Sequence, residues 1–296
     1  PECKKAVSIL KEAGIITVMI TGDQKVTALA IAKELGIANA ETLALSGEEI
    51  DKLTPSELRQ AVKNTRVFAR VSPENKVAIV QAFRLNGHIV AMTGDGVNDA
   101  PSLKAADIGI SMGITGTDVA KGAADMILTD DNFASIEKAV EEGRGIYTNI
   151  KKTVLFLLGS NFAEVVTMAI VVVLSLFAGK YNLPTPLISV HVLWVNLITD
   201  SLPAVALGAD EKEKDIMKLK PRKKKEGLFA KVGIPIMIGY GLLIALITLV
   251  AYFAVPIIDG GIEFRNIGYV FNEICRVLND EPSIKMTAQT CAFCTL

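Results

Sequence analysis

The 296 residues are poor in cysteine and in net charge, and both shortages exclude something. Cysteines number four: Cys3, Cys275, Cys291 and Cys294. That is too few and too scattered for a disulfide scaffold. Cys291 and Cys294 stand at C-x-x-C spacing but inside an apolar stretch that begins to read as a helix, so we take them as small helix residues. The formal net charge is only -1, which argues against a nucleic-acid partner, since that would want a basic surface. The sequence opens on Pro1 without a secretory leader, so we expect it to start inside a longer protein. What is abundant is apolar surface: 50% of residues are hydrophobic and mean hydropathy is +0.40. It is unevenly spread. Residues 1–150 alternate apolar and charged stretches as a soluble α/β protein does. Residues 153–257 hold three apolar runs of about 20 residues or more, the length that crosses a ~30 Å hydrocarbon core.

In the first half, "IITVMITGD" (15–23) and "HIVAMTGDG" (88–96) both run from β-branched and apolar residues into Thr-Gly-Asp. Such short runs ending at a glycine turn read as buried parallel strands. Helical stretches lie between them. One opens at "SPEN" with Ser72 as cap and Pro73 in the first turn. Strands alternating with helices predict a doubly wound parallel sheet, whose ligands sit outside the carboxyl ends of the strands. Thr21, Gly22 and Asp23 fall at one such end, and Asp95, Asn98 and Asp99 at another. Lys76 joins them if its helix packs beside the same crevice. Carboxylates beside a lysine suit Mg²⁺ and a phosphoryl group, because Mg²⁺ prefers hard oxygen ligands. Taken alone, Asp95 and Asp99 would pass as turn residues.

The stretches "MITGDQKVTALAIAKELGI", "VFARVSPENKVAIVQAF" and "MTGDGVNDAPSLKAADIGISMGITGTDVAKGAADMILTDDNF" resemble the phosphorylation domain of P-type cation-transporting ATPases. That domain has the haloacid-dehalogenase-like, Rossmann-type fold. The resemblance implies that Thr21, with Gly22 and Asp23, contacts the transferred phosphoryl group of ATP. It implies that Lys76 stabilises the phosphoryl charge, that Asp95 holds Mg²⁺, and that Asn98 and Asp99 complete the site. One departure stands out. The family's nucleophile is the aspartate of Asp-Lys-Thr-Gly-Thr, and that pentapeptide occurs nowhere in the chain. The family's inserted nucleotide-binding domain is missing as well. By itself, the chain is therefore expected to form no aspartyl-phosphate.

In the second half, the proline-free segment 135–179 predicts one long helix entering the bilayer near Lys151 and Lys152, in line with the positive-inside tendency. The basic run "KLKPRKKKEGLF" (218–229) reads as a solvated loop on the same side. We expect a phosphorylation domain over 1–134, a stalk helix over 135–152 and an α-helical multi-pass bundle over 153–296. Its helices are placed at about 153–178, 187–208, 230–257 and 285–296, the last one cut short. The stretch 258–284 is expected to be an extracytoplasmic loop; Cys275 is its only cysteine, so no disulfide can form within it.

Polar residues inside a membrane are costly and usually functional. Asn161 and Glu164 share a helix face, and Glu164 lies about 18 Å beyond Lys152. Asn196, Thr199 and Asp200 share another face. Pro203 denies its N–H to the Thr199 carbonyl four residues back. Two carboxylates, two carboxamides and a hydroxyl make an all-oxygen site, with no cysteine or histidine of the kind soft metals select. "SNFAEVV" and "VNLITDSLPAVALG" resemble the fifth and sixth helices of the type IIA pumps, the sarco/endoplasmic-reticulum-like calcium ATPases. That resemblance makes Asn161, Glu164, Asn196, Thr199 and Asp200 Ca²⁺ ligands, and Glu164 argues for a two-ion arrangement. Ca²⁺ takes six to eight oxygens, so further ligands are expected from helices this chain lacks or holds in part. The alternatives are an inactive pseudo-pump fragment, a membrane-tethered phosphatase, and a related pump for Mn²⁺, Na⁺ or K⁺.

Overall fold

The computed structural model describes residues 2–177, 182–222, 226–229, 233–263 and 266–296. Parts of the expectations lie outside these: residues 178–179 at the end of the first apolar run, residues 223–225 of the basic run, residues 230–232 at the expected start of the third helix, and residues 264–265 of the expected loop. The chain forms two compact units, Pro1–Gly145 with Lys212–Glu226, and Ile146–Glu211 with Gly227–Leu296.

The first unit alternates strands and helices. In order they are α1 (Glu2–Glu12), β1 (Met19–Thr21), α2 (Lys25–Glu34), β2 (Leu43–Ser46), α3 (Gly47–Ile50), α4 (Pro55–Ala61), β3 (Thr65–Ala69) and α5 (Pro73–Leu85). Then come β4 (Ala91–Gly94), a 3₁₀ turn at Val97–Asp99, α6 (Ala100–Ala105), β5 (Ile108–Met112), α7 (Asp118–Ala123) and β6 (Met126–Leu128). All strand pairs are parallel, as the alternation predicts. They do not form one sheet. The order is β1-β3-β2 in one and β4-β5-β6 in the other, leaving β1 and β4 as edges among the described residues.

α5 holds the two sheets to one core. Its cap is the expected one, the Ser72 hydroxyl accepting from the Asn75 N–H at 3.3 Å. Ile79 and Phe83 pack with Phe68 of β3, while Val80 packs with Met92 of β4 and Leu103 of α6. Ile20 and Val90 touch both clusters. Val67, Phe68 and Leu103 are fully buried, each worth about 1.5–3 kcal/mol in removed apolar surface.

α8 (Ala134–Ser175) is a single helix of 42 residues, about 63 Å long at 1.5 Å per residue, as its lack of proline predicts. In the second unit it is joined by α9 (Ser189–Trp194), a π-helical turn at Val195–Thr199, α10 (Ser201–Gly208), α11 (Gly233–Asp259), α12 (Ile267–Asp280) and α13 (Pro282–Thr295). Three helical stretches, Ala134–Ser175, Ser189–Gly208 and Gly233–Asp259, are long and apolar enough to cross a membrane.

Residues 258–284 are not simply a loop: most of the stretch is helical, ending α11 and forming α12. α12 turns Ile274, Cys275 and Leu278 into a core with Tyr252 of α11 and Ala288 and Ala292 of α13, and Val277 beside them is buried as well. Its three-and-four apolar spacing is helical, but Asn272, Glu273 and Arg276 between those positions make it too polar to read as a span.

Small side chains set the approach of α11 to α8. A Cβ on Gly241 would lie 2.6 Å from the Phe162 ring and 3.1 Å from the Gly159 carbonyl oxygen. The end of α10 is fastened to α8 as well. Asn149 donates to the Gly208 and Asp210 carbonyls at 3.4 and 2.7 Å, and Lys152 pairs with Asp210 at 3.0 Å.

Candidate functional site

In the first unit the site is built at the carboxyl ends of β1 and β4. Gly94 ends β4, and only glycine fits there, because a Cβ would lie 2.4 Å from that of Asp99. This close approach folds the 3₁₀ turn back under the strand and buries Asp99. Both oxygens of that carboxylate are engaged. Oδ1 accepts from Lys76 Nζ at 2.5 Å, and Oδ2 accepts from the N–H groups of Asp95 and Gly96 at 3.3 and 3.2 Å. Burial pushes the Asp99 pKa up, but the hydrogen bond and charge of Lys76 and the Gly96 and Asp95 N–H groups outweigh it. The net shift is below the usual carboxylate range. Asp99 is therefore an organiser that fixes Lys76 and the turn, with no oxygen to spare for a metal.

Asp95 is placed differently. Its side chain is exposed, and among the described residues no hydrogen bond engages its carboxylate, while its backbone is held at both N–H and C=O, the latter by the Thr117 N–H at 2.9 Å. A free carboxylate on a fixed backbone suits a hard cation such as Mg²⁺. Asn98 beside it is exposed. At the end of β1, Thr21 and Asp23 engage each other: the Thr21 hydroxyl donates to Asp23 Oδ2 at 2.9 Å and accepts from the Asp23 N–H at 3.1 Å. Gly22 between them is exposed. Thus Lys76, Asp95 and Asp99 come together at β4, while Thr21, Gly22 and Asp23 form a separate local loop at β1.

A second polar group lies in the other unit. Asn196 Nδ2 donates to both Glu164 oxygens, at 3.1 and 2.9 Å, and to the Val192 carbonyl at 2.9 Å. Glu164 and Asp200 are buried. Asp200 Oδ2 is buried without a hydrogen-bond partner. A buried, unpaired carboxylate oxygen is costly, and an incoming cation would relieve that cost. The structure does not bring Asn161 and Thr199 to this group. Both are exposed, and Asn161 donates to the Leu157 carbonyl of its own helix at 2.9 Å.

The helix widens where Asp200 enters: its N–H bonds to the Val195 carbonyl, five residues back, at 2.9 Å. The missing N–H of Pro203 signals irregularity here, but not that the turn would be π-helical. Such turns are frequent at functional sites. Among the described residues no cluster of three or more histidine, cysteine, aspartate or glutamate side chains forms a metal site. A site drawing on two carboxylates and a carboxamide, such as Glu164, Asp200 and Asn196, falls below that count. Sequence reasoning also passed over Asp131, whose only signal is the doubled aspartate after β6.

The family descriptions that match are "haloacid dehalogenase-like hydrolase" over residues 1–107 and "Cation transporting ATPase, C-terminus" over residues 184–296. Calcium-transporting ATPase 1 of Bacillus cereus is 57% identical over 253 residues, covering 86% of this chain and 28% of that protein. The calcium-transporting ATPase of Bacillus subtilis is 52% identical, with coverage of 86% and 28%. P-type sodium-transporting ATPase4 of Toxoplasma gondii is 46% identical, with coverage of 77% and 17%. The chain thus spans about a quarter of the length of the Bacillus relatives, with a haloacid-dehalogenase-like part followed by cation-ATPase helices. It belongs to the P-type cation-transporting ATPases.

Proposed function

We propose that the complete protein is an ATP-driven pump that carries Ca²⁺ across a membrane through an aspartyl-phosphate. In this reading the chain supplies the Mg²⁺- and phosphoryl-stabilising part of the catalytic site and part of the ion site. The apolar helices span the lipid bilayer, and the first unit faces the cytoplasm, the side of Lys151 and Lys152. The observation that carries the reading is the oxygen group of Glu164, Asn196 and Asp200, two buried carboxylates and a carboxamide in helices apolar enough to cross a membrane. Structural packing alone gives little reason for two acids there.

At the catalytic pole, Lys76 stands on Asp99 and presents its charge to a phosphoryl group. Mg²⁺, held by Asp95, would neutralise phosphate charge when bound. The Thr21 hydroxyl, now donating to Asp23, would turn to donate to a phosphoryl oxygen. These groups position and neutralise; none of them is the nucleophile. We place that nucleophile on a strand outside these 296 residues, in the gap between β1 and β4. Both edges are parallel, both end in Thr-Gly-Asp, and Ile20 and Val90 already share a core across α5.

In the complete pump, Glu164→Gln should raise the Ca²⁺ concentration for half-maximal ATPase activation by about tenfold or more, the scale of a lost metal ligand, while nucleotide binding is unchanged. An unaltered Ca²⁺ dependence would overturn the ion-site reading. A second reading, Na⁺ as cargo, draws on the identity to the Toxoplasma sodium pump, and activation of the complete protein by Na⁺ rather than Ca²⁺ would select it.

A further inference from the structure

Asp131 follows β6 and adopts a left-handed backbone, φ 48°, uncommon for a residue with a side chain. Its carboxylate gathers four donors from one loop 16–18 residues away. Oδ1 accepts from the N–H groups of Gly113 and Ile114 at 2.6 and 2.9 Å. Oδ2 accepts from the N–H and the hydroxyl of Thr115, both at 2.7 Å. These bonds arch the backbone that leaves β5. The arch lies flush on that strand, since a Cβ on Gly116 would stand 2.0 Å from the Met112 carbonyl oxygen. One residue further on, the Thr117 N–H donates to the Asp95 carbonyl at 2.9 Å. Asp95 is thus clamped on two sides, its N–H by Asp99 and its C=O by an arch that ends on Asp131.

We propose that Asp131 is a positioning residue for the Asp95 carboxylate, acting through the Gly113–Thr117 arch. This rests on the reading of Asp95 as the Mg²⁺ ligand. A carboxylate bound to four donors stays ionised: the Ile114 N–H leads in lowering its pKa, and against the cost of burial the Thr115 and Gly113 donors bring it to about 2. Four bonds on one acidic side chain are more than a surface turn requires. Their direction explains them, because every donor belongs to the segment that ends on Asp95. Groups that orient a metal ligand typically change metal affinity about 10–100-fold when removed.

The test uses the complete pump carrying Glu164→Gln and Asp200→Asn, so that a cation probe reports outside the helices. Mn²⁺ is the probe, with orthovanadate in the phosphoryl position and binding read by electron paramagnetic resonance. Asp131→Asn keeps a side chain that tolerates the left-handed backbone, but turns an NH₂ group toward the Thr115 donors. It should weaken Mn²⁺ binding about tenfold, and Asp95→Asn should weaken it at least as much. Unchanged binding in Asp131→Asn beside weakened binding in Asp95→Asn overturns the inference and leaves the site reading standing. Unchanged binding in Asp95→Asn removes the site reading and the inference with it.

In an otherwise unaltered pump, Asp131→Asn should leave the half-activating Ca²⁺ concentration at the parental value. If that moves as well, Asp131 has only a general structural role and the inference fails. Should Asp131→Asn not fold, Thr115→Val removes one hydroxyl donor and no backbone bond. It should weaken Mn²⁺ binding roughly threefold, the scale of one hydrogen bond, and unchanged binding there again overturns the inference.

Discussion

Asp99 shows how much one side chain organises. It holds Lys76 with one oxygen and two backbone N–H groups of the turn with the other. Asn in its place keeps a single acceptor oxygen and turns an NH₂ group toward donors, so one set of contacts is lost. The pair is mostly buried, with side-chain exposures of 21% for Lys76 and 10% for Asp99. Losing one partner should cost about 2 kcal/mol, and hydrogen exchange at the Asp95 and Gly96 amides should quicken accordingly. The pH dependence has a definite sign. Because the Asp99 pKa is depressed on folding, its stabilisation is full above the unfolded carboxylate value of about 3.9 and is lost as pH falls through the folded value. Amide protection in the parent should follow that acid limb, and Asp99→Asn should flatten it. Protection in the variant that matched the parent across this range would show that Asp99 does not organise the turn.

Among the elements, α8 and α11 are set by close approach. Gly241→Ala would press a methyl group toward Phe162 and the Gly159 carbonyl, and overpacking of this kind costs about 1–3 kcal/mol. Phe162 is two residues from Glu164. The variant should therefore lower the thermal stability of the complete pump and raise its half-activating Ca²⁺ concentration, with Mg²⁺ dependence unchanged; a thermal midpoint equal to the parent's would count against the contact. At this scale the sequence was legible where a signal is local. The Ser72 cap, the Thr-Gly-Asp strand ends and the uninterrupted α8 each rest on residues within a turn or two of one another. It was illegible where partners are remote or a pattern is mixed. Asp131 binds Gly113–Thr115 across α7 and β6, and α12 hides an apolar face among Asn272, Glu273 and Arg276. Asn161 carries a ligand-type side chain at the right spacing, yet it is exposed and bonds to its own helix. Spacing alone does not say which way a helix turns in a bundle.

At the scale of the whole molecule, the two sheets raise one question. Edge strands with unpaired N–H and C=O groups invite another strand, and β1 and β4 each lead into Thr-Gly-Asp while Ile20 and Val90 beside them pack into the same two core clusters. The nearby carboxylates have other tasks or are already engaged. Asp99 is bound at both oxygens and Asp23 accepts from Thr21, while Asp95 is the metal-ligand candidate. A strand between β1 and β4 would complete the sheet and would carry its own carboxylate to the mouth where Lys76 waits. The chain of 296 residues, incubated with ATP labelled at the γ-phosphate and Mg²⁺, should therefore take up no acid-stable label. The complete protein should take up label in the presence of Ca²⁺ and release it to hydroxylamine, as an acyl phosphate does. Label appearing on the 296-residue chain would mean that one of its own carboxylates is the nucleophile. The gap between β1 and β4 would then need another explanation.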